Sequence, residues 1–426
     1  MNAKELFKGI AVVIDDEIND IVDNEFDKST SDKKIIPIHK ILDQLDAEHI
    51  PYVKYCELPD DGVIENLQNV SFVLLDWKLC SQISQEDTEA GVRMPAGKES
   101  ENDSTNIEFL KKLQETCFCP IFIFSNENID SIILKLKQGR VYKKGSCNNI
   151  LVKSKSCFAD KDTLFNALDE WLKTVAPIYL LKEWDVAYQK SKSNLFIDFQ
   201  NRSSNWTKIL WKTHEGDGVN PCLELSDLIS RSITTQMTPL PLESSIFQNC
   251  EDRVNPNELL QCLERQCFVQ EKYLDKDSPE VGDVFKINND YYVNIRPSCD
   301  LIPRPSCDLI PGSRDKTSSD TVELYLLKPT TIKRNAAIHD FYNETTGTFN
   351  EGNIHCIIFP VCDGHLFHFK FKDLEQKKWK DLKAYRVGRL LPPFITKLQM
   401  KYSYYLQRQG FPKIPKEIFP KTSDKT

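Results

Sequence analysis

Along the first 175 residues, compact apolar runs alternate with stretches whose apolar residues recur at helical spacing. Gly9–Ile14 (GIAVVI), Ser71–Leu75 (SFVLL) and Cys119–Phe124 (CPIFIF) are apolar at nearly every position, the composition of strands buried on both faces. Pro51–Cys56 and Arg140–Lys144 add two shorter candidate strands. Between them, Ile35–Leu45, Val63–Leu67, Ile107–Leu113, Ile129–Lys137 and Thr163–Val175 carry the helical spacing, with Pro37 in a first turn. Strands alternating with helices of this length predict βαβ units and an α/β fold: a doubly wound, five-stranded parallel sheet over residues 1–175.

The pattern then changes twice. In residues 176–245 the aromatics Tyr179, Trp184, Tyr188, Phe196, Trp206 and Trp211 recur at helix-compatible intervals, and Cys222–Ile233 reads as a further helix, which predicts a helical connector. His214, Glu215 and Asp217 alternate with Gly216 and Gly218 and read as a surface turn. TPLPLESS marks a boundary near residue 243. From 246 to 426 the pattern predicts a β-rich α+β domain. Val281–Ile295 reads as a hairpin around Asn288, Asn289 and Asp290, and Val322–Leu327, His355–Pro360 and Gly364–Phe371 read as strands. His365 and His368, three apart in a strand, should face opposite ways, which argues against joint ligation. The octapeptide RPSCDLIP occurs twice in tandem, at Arg296–Pro303 and Arg304–Pro311. Only one copy can follow the strand in a given register, so the other is expected to loop out. Cys299 and Cys307, eight residues apart, match no zinc-ligand spacing.

Composition narrows the class. The chain has 426 residues, too many for one ordinary core, which predicts two or three domains. No apolar run has the ~18 residues needed to span a bilayer, and MNAKELFKGI lacks the apolar stretch of a secretory signal, so a cytoplasmic location is expected. The 14 cysteines are scattered without a CxxC pair and are read as reduced thiols. A net charge of −8 argues against wholesale nucleic-acid binding. Residues 370–421 nevertheless hold 14 Lys and Arg against four Asp and Glu, interleaved with Trp379, Tyr385, Tyr402, Tyr404 and Tyr405. That segment could bind a nucleic-acid backbone, or dock on the acidic remainder of the chain.

Candidate chemistry sits where the strands end. Asp15 and Asp16 follow the first strand, Asp76 ends the third, Ser125 the fourth, and Lys143 and Lys144 the fifth. In a parallel sheet these ends share one edge, where open α/β sheets place their ligands. Three carboxylates there make a hard-oxygen site suited to Mg²⁺, and a hydroxyl and an ammonium beside it suit phosphoryl oxygens.

The ordered set DDE, LLDWKL, FIFSN and YKKG resembles the receiver domain of two-component response regulators over about residues 8–175. The resemblance implies that Asp76 is the phosphoacceptor. It implies that Asp15 and Asp16, with Asp76 and the backbone carbonyl of Lys78, hold Mg²⁺. Ser125 would be the switch hydroxyl and Lys144 (or the adjacent Lys143) the phosphate-pairing lysine, with a histidine kinase as partner; whether the chain forms a homodimer is left open. Tyr142 would lie on the switch surface or in the core. Gly145 stands where receivers usually carry Pro, and polar insertions at about 20–34 and Ser81–Asn106 lengthen the domain. Both insertions leave strand ends and should overhang the acidic site as surface loops or as a lid.

For the rest of the chain, GDVF followed by YYVNIRPSCD looks like the opening of the small SH3-like barrels of MazF/PemK toxins, with no catalytic pattern to carry over. The leading expectation is a response regulator whose output is no helix-turn-helix DNA reader. The alternatives are a receiver-regulated nuclease or toxin, suited to phage defence, and a degenerate receiver serving as a scaffold.

Overall fold

The computed structural model describes residues 2–18, 37–79, 96–142, 148–158, 163–216, 221–249, 255–301, 319–332, 341–352 and 354–410, with 412, 414, 415 and 418 beyond them. It divides into two compact units: Met1–Trp206 with Asp227–Glu251, and Thr207–Ser226 with Asp252–Thr426. The insertion at 20–34, residues 80–95 and the second octapeptide copy lie outside the described residues.

The first unit is built on a five-stranded parallel sheet of order β2-β1-β3-β4-β5, with β1 Ala11–Ile14, β2 Tyr52–Tyr55, β3 Phe72–Asp76, β4 Ile121–Ser125 and β5 Ile150–Ser154. Every residue of β1, β3 and β4 is buried. Because side chains alternate across a strand, one sequence feeds two cores. Val13, Phe72, Leu74, Phe122 and Phe124 face one cluster with Phe7, Leu168 and Trp171. Val12, Ile14, Val73, Leu75, Ile121 and Ile123 face the other, with Leu110, Leu113, Ile132 and Leu136. Phe122 is central to the first cluster, meeting Phe7 and Trp171 edge to face at 5.5 and 5.4 Å.

Helices cover both faces: α1 Ala3–Leu6, α2 Pro37–Ala47, α3 Asp61–Ile64, α4 Ala96–Thr116, α5 Ile129–Gln138 and α6 Thr163–Leu172. Asp60 caps α3 and Asn128 caps α5, each accepting a backbone N–H with its side chain. The long α7 (Ala176–Arg202) begins with Pro177 in its first turn. It is fixed to the base of β3 by Lys182, a buried ammonium 3.3 Å from the Ser71 carbonyl and 3.2 Å from Asp185.

Two expectations are corrected here. The fifth strand is Ile150–Ser154, not Arg140–Lys144. Helix α5 ends in a left-handed residue, Arg140 (φ 62°), and Val141 N–H bonds back to the Leu136 carbonyl at 3.1 Å, so this stretch is a helix stop. Tyr142, just after it, packs against the core under α4 and α5. The helix expected at Ile107–Leu113 is much longer, and its first turns reach back into the polar stretch read as an overhanging loop.

α8 (Trp206–Gly216) and α9 (Pro221–Met237) follow, and His214 and Glu215 lie in α8 rather than in a turn. In the second unit, α10 (Pro256–Cys267) precedes a six-stranded sheet of order β15-β9-β8-β7-β16-β6. Its strands are β6 Phe268–Gln270, β7 Asp283–Ile287, β8 Asp290–Asn294, β9 Glu323–Leu327, β15 Leu374–Lys378 and β16 Arg386–Leu390, each neighbouring pair antiparallel. A second sheet sets β14 His365–Phe369 between β10 Thr330–Ile332 and β13 Cys356–Val361, and β11 Tyr342–Asn343 pairs with β12 Thr348–Phe349. The terminal helix α11 is Phe394–Leu406. The expected β7–β8 hairpin forms, with Asn288 at φ 56° in its turn. The protein is therefore mixed α/β, and among the described residues no helix is long and apolar enough to cross a membrane.

Candidate functional site: an acidic cluster closed by Lys155

The register of the parallel sheet decides which strand ends meet. Ile14 pairs with Leu75, Asp76 with Phe124, and Ser125 with Ser154, so Asp15, Asp76, Ser125 and Lys155 leave neighbouring strands at one edge. One carboxylate oxygen each of Asp15, Asp16 and Asp76 lies within 4.8 Å of the others. Asp15 and Asp76 are buried, with relative exposures of 2% and 7%. Their outer oxygens are fixed locally: Glu17 N–H donates to Asp15 Oδ1 at 3.0 Å, and Lys78 N–H to Asp76 Oδ1 at 3.2 Å.

Among the described residues the cation in this cluster is Lys155, which no motif in the sequence marked. Lys143 and Lys144 lie outside the described residues. Lys155 directly follows β5, is 2% exposed, and sets its ammonium 2.8 Å from Asp15, 2.8 Å from Asp76 and 3.0 Å from Glu17. The signal that could have found it is the run ILV at 150–152, a strand-length apolar core hidden by the lysines and serines on its C-terminal side.

Burial and charge oppose each other here. Burial pushes the Asp76 carboxyl up to about 6, against the pull of Lys155, and the nearby Asp15 adds to the rise. Burial likewise raises Asp15, again against Lys155. For Lys155 burial works downward, but the Asp76 and Asp15 charges outweigh it and hold the ammonium above its ordinary range.

Ser125 sits one strand over, buried, its Oγ accepting the Glu127 N–H at 3.2 Å. Beyond Asp76 the chain is clamped by α4. Asn106 donates to the Trp77 carbonyl at 2.6 Å, Asn102 to the Leu79 carbonyl at 2.9 Å, and the Trp77 indole N–H to Asp103 at 2.9 Å. Asp103 in turn holds Lys135 of α5 at 2.7 Å. A polar cavity of about 310 Å³ opens there, lined by Trp77, Lys78, Asn102, Asp103, Glu127 and Lys135 among others.

No protein-family model matches this chain, and no curated protein matches it in sequence. Three carboxylates, Asp15, Glu17 and Asp76, meet the Lys155 ammonium, and Asp16 lies beside Asp15 and Asp76, an excess of negative charge in a poorly hydrated site. All the donors are oxygens, so the residues fit a hard divalent cation. The buried acidic group could bind a metal ion.

Other candidates are placed differently. Cys299 is exposed, its Sγ 3.6 Å from Asp300, and Cys307 lies outside the described residues. His365 Nδ1 lies 3.0 Å from the Cys362 carbonyl, whereas His368 Nε2 meets His355 Nδ1 at 3.0 Å. In the basic segment, Lys397 and Lys401 pair with Glu351, Lys383 with Asp320, Arg386 with Glu271, and Arg389 with the fully buried Asp283. These five cations are paired within their own unit.

Proposed function

We propose that the first unit is a receiver-type phosphorylation switch, Asp76 accepting a phosphoryl group from a partner histidine kinase and the second unit acting as output. The observation that carries this reading is Lys155, an ammonium at the end of the last strand held 2.8 Å from both Asp76 and Asp15. A lysine at that point, an acid at the end of the central strand and a hydroxyl, Ser125, between them supply the parts that aspartyl phosphorylation needs.

Each residue has a task. Asp76 is the nucleophile, and its carboxyl, although raised to about 6, is mostly ionised at neutral pH. Lys155 pairs with charge arriving on the phosphoryl oxygens, and the Ser125 hydroxyl is within one strand of the product. Asp15, Asp16 and Asp76, with the Lys78 backbone carbonyl, would hold Mg²⁺, which when bound neutralises phosphoryl oxygens and screens the carboxylates from them. The new charge on Asp76 then biases the surface around β4 and α5.

The test is intact-mass measurement after incubation with acetyl phosphate and MgCl₂, beside Asp76→Asn. One phosphoryl group is expected on the wild type and none on the variant. Absence of label from acetyl phosphate and from a cognate kinase alike would sink the reading.

A further inference from the structure

Glu17, the third acid of the DDE run and given no role by the resemblance, occupies a decisive place. An ammonium has three N–H donors. Those of Lys155 meet three carboxylates, Asp15, Asp76 and Glu17, at 2.8, 2.8 and 3.0 Å. An incoming phosphoryl oxygen therefore finds the lysine saturated, and one carboxylate must give way.

The three are not equally free to do so. Asp15 and Asp76 are buried on strand ends, and releasing either leaves an uncompensated charge in a poorly hydrated site. Glu17 lies on the short 3₁₀ turn Asp16–Ile18, and its side chain is 36% exposed, so it can swing into water at small cost. Its partly exposed charge, 3.0 Å from Lys155, also repels a dianionic donor approaching that ammonium.

We propose that Glu17 gates Lys155, holding the ammonium closed until a phosphoryl group displaces it. The gate rests on the reading of Asp76 as phosphoacceptor. In the reaction with acetyl phosphate, an Asp76 carboxylate oxygen bonds to phosphorus as the bond from phosphorus to the acetate oxygen breaks. Acetate leaves with that electron pair, Asp76 becomes an acyl phosphate, and Lys155 exchanges Glu17 for a phosphoryl oxygen. Glu17 is thus a positioning residue acting through Lys155.

The experiment compares wild type, Glu17→Gln and Glu17→Asp by intact mass over time, with acetyl phosphate and MgCl₂, after thermal melts have established that all three fold. Loss of one charge-assisted hydrogen bond and its repulsion predicts labelling of Glu17→Gln on the order of tenfold faster than wild type. Glu17→Asp, which keeps the charge, is expected to stay close to wild type. Equal or slower labelling of Glu17→Gln, or labelling of Glu17→Asp as fast as Glu17→Gln, overturns the gate and leaves the acceptor reading standing. No label on any of the three overturns the acceptor reading and the gate with it.

Discussion

Lys155 and Asp76 are 79 residues apart in sequence and 2.8 Å apart in space, both buried. Neither is stable there alone: a buried charge without its partner is strongly destabilising, whereas the pair is satisfied by hydrogen bonds.

That relationship predicts the cost of breaking it. Lys155→Met leaves Asp15 and Asp76 facing each other without a cation and is expected to lower the unfolding free energy by about 3 kcal/mol. Asp76→Asn removes one of the two stranded charges, so the double variant should recover part of the loss. Urea denaturation of the four proteins forms the cycle, and strictly additive losses would contradict the coupling.

Divalent cations should act on the same cluster. Binding to the folded state alone adds about 2.7 kcal/mol when the ion is at 100 times its dissociation constant. Thermal melts with increasing MgCl₂ are expected to shift upward for wild type, to shift little for Asp15→Asn with Asp16→Asn, and to return on chelation. A shift that survives both substitutions would place the ion elsewhere.

Asn106 links stability to the site. Its amide holds the Trp77 carbonyl at 2.6 Å while the residue is 2% exposed, so Asn106→Ala strands a buried carbonyl at about 1–2 kcal/mol. Because Trp77 follows Asp76 directly, the variant should also label more slowly with acetyl phosphate than wild type at a temperature where both are folded.

The second unit carries its own pH dependence. His368 is buried and shares its Nε2 with His355 Nδ1 at 3.0 Å. Burial first, and the His355 charge second, hold its pKa below the ordinary 6.5. For a group with a lowered folded value, the stabilisation is present above 6.5 and is lost as pH falls through the lowered value. Chemical denaturation between pH 8 and pH 5 is expected to show stability falling at the acid end, and His368→Gln should flatten that slope.

Local pattern alone determined a good deal. The apolar runs at Ala11–Ile14, Phe72–Leu75 and Ile121–Phe124 announced buried strands because a strand covered on both faces has little room for polar residues. Asp15, Asp76 and Ser125 were legible for the same reason, each being the first polar residue after such a run, and Asp16 as the next acid after Asp15.

Tertiary structure decided what the runs could not carry. β5 has only Ile150, Leu151 and Val152 buried before it turns polar, so Lys155 just beyond it looks like any surface lysine until the register sets it against Asp76. Asn102, Asp103 and Asn106 read as loop because their polarity answers to protein groups: Asn102 and Asn106 to the Leu79 and Trp77 carbonyls, Asp103 to the Trp77 indole. A charged residue states in sequence only that it needs a partner. Which partner it has is fixed by sheet register and helix length, and those are settled by packing across the whole unit.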